Sequence, residues 1–253
     1  MTDIDEPCRV LAEAQQAGVT SLLCCGYSAA SNAAVVTLRR SIPNLPIAIG
    51  LHPWYVAEPF GPIQESIERE CPSAIGECGL DGYARDPEIP PLARQLPVFE
   101  AQLDLATRLR LPVTVHSRRA VTEVVALVGN FPAVRGVLHA YSGSYEQVAP
   151  LLDRGWLVGV GGAMTRPGAK RIRRLAARLD LNQLLFETDS PAIGLEGVMP
   201  PLVRPLHVLE VARAFAQLRG FDFYEVVQRT DANARRMFGD AALVGWQRSN
   251  GPV

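Results

Sequence analysis

The sequence predicts an α/β fold: a TIM-like (β/α) barrel lacking the usual first strand, formed by residues 1–253 as a single domain. Three observations predict it. Short apolar runs alternate with segments whose apolar residues recur at i, i+3, i+4 and i+7, the pattern of parallel strands joined by crossover helices. No linker or composition break interrupts that alternation over 253 residues, a length suited to one large barrel. A closed barrel of this type has eight strands. Counting gives seven, near residues 20, 48, 75, 113, 138, 158 and 185, and the chain opens with a helix that no strand precedes, so the deficit falls at the amino terminus.

The first helix is predicted over 7–17, with Pro7 suited to a first turn and Val10, Leu11, Ala14 and Ala17 on one face. Gly18 ends it, and Val19 to Cys25 reads as a buried strand. A helix follows at 29–40, and Pro43 and Pro46 bracket a turn before the strand Ile47–Leu51, which delivers His52. A helix at 62–70 precedes the strand ending at Glu77, and a loop rich in Pro, Gly and Asp runs from Asp81 to Pro91. Phe99, Leu103, Ala106 and Leu109 mark a helix before the strand at 111–115, and Val121, Val124, Val125 and Val128 mark the next. Then come the strand to His139, a helix near 144–154, the strand Trp156–Val160, a basic helix at 168–178 and the strand to Glu187. Helices at 202–218 and 222–238 close the fold, and 240–253 reads as a loose tail without periodicity.

Composition narrows the function. The net charge of −1 and pI near 6.4 supply no global field for holding nucleic acid, so any phosphate-binding surface has to be local. Five cysteines, an odd number without C-x-x-C spacing, argue for reduced, mostly buried thiols rather than a disulfide framework or a zinc ribbon. The first residues carry neither an apolar signal core nor an arginine-rich amphipathic pattern, and no apolar run approaches the ~20 residues needed to cross a bilayer. These features predict a cytoplasmic protein without a membrane partner.

Glu77, His116, His139 and Asp189 each follow an apolar run, which places all four on the carboxyl-terminal rim, where α/β barrels keep their chemistry. A histidine at one strand end is more often a hydrogen-bonded structural group. Four metal-capable side chains at four strand ends are poorly explained that way. Two imidazoles and two carboxylates suit a divalent ion such as Zn²⁺ or Mn²⁺, and one carboxylate can bridge two metals. Arg118, two residues beyond His116, reads equally as a contact for an anionic substrate or as a surface ion pair. His52, Asp81 and Glu187 divide in the same way between supporting the site and serving the turns they occupy. The run Arg166, Lys170, Arg171, Arg173, Arg174 and Arg178 reads first as a solvated helix face, and His207 as a helix-surface residue.

With these residues in place, the chain resembles the TatD-type metal-dependent deoxyribonucleases of the amidohydrolase-like barrels. The segments that carry the resemblance are Gly50-Leu-His-Pro53, Gly76-Glu-Cys-Gly-Leu-Asp81, Leu111-Pro-Val-Thr-Val-His-Ser-Arg118, His139-Ala-Tyr-Ser-Gly143, Gly161-Gly-Ala-Met-Thr165, Glu187-Thr-Asp-Ser-Pro191 and Asn233-Ala-Arg-Arg-Met-Phe-Gly239, in the family's order over about residues 8–239. The resemblance implies a distorted TIM barrel with one or two divalent ions (Mg²⁺, Mn²⁺ or Zn²⁺) at the strand ends, and hydrolysis of DNA or another phosphodiester by metal-activated water. It implies Glu77 as bridging carboxylate, His116 and His139 as ligands of one metal, and Asp189 as ligand of the other and partner of the attacking water. Glu77 and Asp189 thus stand as the catalytic pair, with His52, Arg118 and Glu187 around them.

Two departures from the family's pattern bear on activity. The first strand and its His-x-His pair are missing, and an Asn-x-Pro element after the last strand stands here as Val203-Arg204-Pro205. Without the pair, the half-site of Asp189 keeps only two protein oxygens, so one firmly bound metal and weakened activity are expected. Three readings follow: an active nuclease; a catalytically weakened relative that persists as a binding or complex-forming subunit, using an open barrel edge around Val19–Cys25 for a partner or a second copy; and a start codon placed about 20 residues too late.

Overall fold

The computed structural model describes residues 6–83 and 85–239. The tail expected over 240–253 lies outside the described residues. Elements follow one another as α1 (Pro7–Gln16), β1 (Cys24–Cys25), α2 (Ala29–Ser41), β2 (Ile47–Ile49), α3 (Phe60–Glu70), β3 (Ala74–Gly79), α4 (Leu92–Leu109), β4 (Val113–His116), α5 (Val121–Gly129), β5 (Gly136–Leu138), α6 (Tyr145–Leu152), β6 (Leu157–Val160), α7 (Lys170–Arg178), β7 (Leu184–Phe186), α8 (Val208–Arg219) and α9 (Phe223–Phe238). The seven strands pair in parallel in chain order, each with its sequence neighbours, as a curled half-barrel with helices between.

The helices begin where polar caps allow. Ser28 and Ser31 form a reciprocal capping box at α2, Ser144 and Gln147 form another at α6, and the Asp222 carboxylate accepts from the first-turn amides of α9. The strands bury Ile47, Ile49, Ile75, Val113, Val115, Leu138, Val158 and Val160 in the main core. A smaller cluster of Val137, Leu157 and Met237 packs α9 against the starts of the strands.

Several boundaries differ from the sequence reading. The strand predicted over Val19–Cys25 is reduced to Cys24–Cys25, because among the described residues only β2 lies beside it. The exposure expected there is partial: Val19 and Cys24 are buried, while Leu22, Leu23 and Cys25 are half-buried. The helix predicted from 202 begins at Val208, because Pro200 and Pro205 open two short 3-10 turns ahead of it. His207 is therefore not a helix-surface residue. It sits mostly buried at the start of α8, where its Nδ1 accepts from the Arg204 amide at 2.8 Å. Helix α4 reaches back to Leu92, a full two turns before the Phe99 that betrays it in the sequence.

That extra length positions the site. Gln95 and Gln102 are seven residues apart on α4 and fully buried. Gln102 grips both the amide and the carbonyl of Leu51, next to His52, at 2.8 and 3.0 Å. Gln95 does the same for Asp81, at 2.7 and 2.9 Å. Each buried amide side chain replaces the ladder partners that the two loops lack.

The open edges of β1 and β7 face each other across a cleft of about 1400 Å³ that runs from Gly18 and Phe238 up to the rim residues Glu77 and Asp189. Helix α1 packs against the turn Pro205–His207. Among the described residues, no helix is long and apolar enough to cross a membrane.

Asn233 joins α9 to the start of β7 by donating to the carbonyls of Leu181 and Leu184 at 2.6 and 2.8 Å, from a fully buried position. Asn233→Ala leaves one buried and one half-buried carbonyl short of a donor. It should lower unfolding stability by about 2 kcal/mol in a urea titration, and a loss below about 0.5 kcal/mol would show that α9 is held by packing alone.

Candidate metal centre

The predicted rim residues meet at one place. His116 is the last residue of β4, His139 follows β5, and Glu187 and Asp189 follow β7. Glu77 arrives differently from the expectation. It is inside β3, where the register with β4 shifts between Ile75 and Cys78. An irregularity of this kind re-aims a side chain, and here the Glu77 amide donates across to the Gly26 carbonyl at 2.7 Å. Asp189 has φ of 50°, a left-handed conformation uncommon for a residue with a side chain.

Glu77 Oε1 is the focus. His116 Nδ1 lies 3.2 Å from it, His52 Nε2 3.5 Å and His139 Nε2 3.9 Å. Asp189 Oδ1 lies 3.5 Å from the same His139 Nε2. The other nitrogen of each rim imidazole is held by a carboxylate: His116 Nε2 by Asp81 Oδ2 at 2.9 Å, His139 Nδ1 by Glu187 Oε2 at 3.0 Å. The Ala140 amide donates to Glu187 Oε1 at 2.6 Å, and Gly159 leaves the room for this carboxylate, since a Cβ there would lie 2.2 Å from Oε2. His52, Glu77 and His116 offer donor atoms within 4.8 Å of one another, a group that could hold a metal.

The electrostatics follow from burial and these contacts. Burial alone would raise the Glu77 carboxyl, but the imidazoles of His139, His116 and His52 outweigh it and hold it well below the usual carboxylate range. Burial depresses His116 and His139 too, yet the carboxylates around them win: Asp81 and Glu77 raise the first, and Glu187, Glu77 and Asp189 raise the second well above an ordinary imidazole. His52 goes the other way, pushed to about 4 by burial against the pull of Glu77. Three imidazoles in one cluster are thus held in two different states.

Asp81 is more central than the sequence reading allowed. Its side chain is fully buried, and Oδ2 accepts from His116 Nε2 at 2.9 Å, Trp54 Nε1 at 2.8 Å and Arg118 Nε at 2.8 Å, while Oδ1 accepts from the Tyr83 amide at 3.0 Å. Arg118 is therefore ion-paired, and its guanidinium lies 4.6 Å from the Tyr83 ring centroid and 5.4 Å from that of Trp54. Its side chain remains 40% exposed. In the basic run, Arg166 and Arg173 donate to the Gly194 and Met164 carbonyls and Arg178 pairs with Glu146, so three of its six cations are used in local structure.

A family model described as TatD related DNase matches residues 2–239. The chain belongs to the TatD-related DNase family. Among relatives of this family, it is 33% identical over 235 residues to an uncharacterized metal-dependent hydrolase, YjjV, of Escherichia coli K12, covering 90% of each chain. The crystal structure of YjjV superposes with a TM-score of 0.83 over 91% of this chain and 90% of that one. The chain is 32% identical over 245 residues to a 3'-5' ssDNA/RNA exonuclease TatD of Erwinia tasmaniensis, covering 91% of this chain and 92% of that protein. In this TatD-family chain the family segments quoted from the sequence supply Glu77, Asp81, His116, His139, Glu187 and Asp189, all within this one cluster.

The thiols offer a check on the burial. Burial pushes Cys24 and Cys25 up to about 12, and Cys78 higher still, whereas Cys8 and Cys71 are exposed. At pH 8 a group titrating near 12 is thiolate in only about one molecule in 10⁴. An aromatic disulfide reagent should therefore titrate two thiols per native chain at pH 8 and five after denaturation. Rapid reaction of a third native thiol would show that the cleft beside Cys25 is open to reagent.

Proposed function

We propose that this chain is a metal-dependent hydrolase of nucleic-acid phosphodiester bonds, acting on DNA ends or single strands in a reducing cytoplasm suited to its five free cysteines. The observation that carries this reading is the convergence of His116 Nδ1 and His139 Nε2 on Glu77 Oε1, each imidazole being oriented from behind by a carboxylate. Such carboxylate–histidine pairs fix the tautomer and ring orientation of metal ligands. The donor set fits a divalent ion of the Mg²⁺, Mn²⁺ or Zn²⁺ class.

In this reading Glu77, His116 and His139 would hold one ion, and Asp189 lines the cleft with them. An ion there would lower the pKa of water and offset charge at the phosphate. Asp189, 27% exposed, accepts the proton that the attacking water loses. Glu187 and Asp81 keep the two imidazoles facing Glu77, and His52, packed edge-on against His116, turns its Nε2 to the same Glu77 oxygen. Arg118 presents its terminal nitrogens to an anionic substrate. The relative from Erwinia tasmaniensis, named as a single-strand exonuclease, supports nucleic acid over other phosphodiesters.

Hydrolysis of a single-stranded oligonucleotide with Mg²⁺ or Mn²⁺ supplied should fall at least about 100-fold in His116→Ala and in Asp189→Ala. The open edges of β1 and β7 favour a second reading, a binding subunit that takes a partner's or a second copy's strand there. Equal rates in wild type and both variants would favour that reading.

Metal content provides a separate prediction. The set around Glu77 has two nitrogens and one oxygen, whereas Asp189 and Glu77 alone give two oxygens. One ion per chain should survive exhaustive dialysis and elemental analysis, and Asp81→Asn should weaken its binding 10- to 100-fold. Two tightly held ions per chain would refute the one-metal assignment.

A further inference from the structure

We propose that Trp54, Tyr83 and Arg118 form a subsite beside the metal centre that takes one nucleotide unit of a single strand, its base stacked on Trp54 and its phosphate on Arg118. The proposal rests on the phosphodiesterase reading and deepens it, because it names the residues that hold a nucleotide unit next to the scissile phosphate.

Trp54 begins the case. Five large hydrophobic side chains are exposed among the described residues, and of these only Trp54, 46% exposed, lines the cleft. A single exposed hydrophobic residue is ordinary. This one is built in. Its indole N–H donates to the fully buried Asp81 carboxylate at 2.8 Å, its ring meets His52 edge-on at 5.0 Å, and its backbone is fixed in the 3-10 turn Pro53–Tyr55, capped by His52 Nδ1. An indole whose polar end is anchored inside presents its face without rotamer freedom to lose on binding.

Arg118 completes the subsite. Nε is taken by Asp81, which fixes the guanidinium plane between the rings of Tyr83 and Trp54. Its terminal nitrogens make no hydrogen bond among the described residues, and these are the donors that match a phosphate. The Arg119 guanidinium lies 5.4 Å from the same Tyr83 ring centroid and adds positive charge. A fold-stabilising role alone would be served as well by a ring turned inward. A stacking face next to a phosphate-binding arginine is the combination used for single strands, where every base has a π face and sequence matters little. Because Asp81 also holds His116, the subsite and the metal centre share one anchor and so a fixed separation.

The test is a titration of the full chain with a 5'-phosphorylated, phosphorothioate-linked tetrathymidylate, followed by tryptophan fluorescence and by anisotropy of a labelled copy. Trp156 is fully buried, and Trp54→Phe reports any signal from the remaining tryptophans. Wild type should show quenching and saturable binding. Trp54→Ala should bind roughly tenfold more weakly and Trp54→Phe within about threefold of wild type, as loss and retention of one stacked base require. Arg118→Met should weaken binding and lower the slope of log K against log salt by about 0.7, one phosphate contact on a single strand. A stable hairpin duplex with the same phosphorothioate linkage should bind more weakly than the single strand. Unchanged affinity in both Trp54→Ala and Arg118→Met, or equal binding of duplex and single strand, would overturn the subsite. If wild type binds the oligonucleotide with this pattern yet hydrolyses no phosphodiester, the hydrolase reading fails and the subsite stands.

Discussion

A buried carboxylate organises this site. Asp81 is sealed from solvent, and an isolated ionised carboxylate in such a place costs several kcal/mol or more. It is retained because four donors meet it: His116, Trp54, Arg118 and the Tyr83 amide. Burial would raise its pKa, and the hydrogen bonds from His116, Trp54, Tyr83 and Arg118 outweigh that and keep it ionised. The loop that carries it has no ladder partners of its own, so Gln95 on α4 clamps its backbone from the core side. One ionised group thereby fixes the ring of a rim histidine, the plane of an arginine and the face of a tryptophan. Loosening it would disturb all three together, which is why its position is over-determined from both sides.

The rim is legible in the sequence because parallel strands deliver their carboxyl ends to one side, so apolar runs alone put His116, His139 and Asp189 there. What supports the rim is not. Gln95 and Gln102 share the buried side of α4 with Phe99, Leu103 and Ala106, and two polar residues there look like interruptions of an apolar stripe. Only the loops they clamp explain them. Glu77 reaches the cluster through a register shift inside β3, which no periodicity reveals. Val19–Cys25 shows the converse. Its residues have strand character, yet pairing depends on neighbours, and among the described residues there is none on one side. Trp54 and Tyr83 carried no signal at all beyond proximity to His52 and Asp81 in the quoted segments.

The open side of the half-barrel bears on the chemistry as well as the fold. The cleft between β1 and β7 continues up to Glu77 and Asp189, so these carboxylates face a channel rather than a packed strand. The Asp189 backbone holds a left-handed conformation there, and the Ser190 hydroxyl beside it donates to the Val203 carbonyl at 2.6 Å. Val203 stands where the family's pattern has asparagine, and its carbonyl, not its side chain, makes this contact. The substitution therefore leaves the tie beneath Asp189 in place.

Tautomers divide the three imidazoles around Glu77 more sharply than distance does. His52, Glu77 and His116 form the tightest group by separation. Yet His52 Nδ1 accepts from the Trp54 amide at 3.2 Å, so in the neutral ring the proton sits on Nε2, the atom aimed at Glu77. His52 is thus a donor to Glu77, in keeping with its depressed pKa. His116 and His139 are reversed. Asp81 and Glu187 take the protons of their far nitrogens, and the near nitrogens turn lone pairs toward a carboxylate oxygen that also offers only lone pairs. Three acceptors converging in a buried space repel unless positive charge lies among them. Protons can supply it, which is the state of the raised His116 and His139, or a divalent ion can, with release of those protons. The same contacts that make these two imidazoles basic also hold their rings facing Glu77, and His52, lacking a carboxylate behind it, stays neutral.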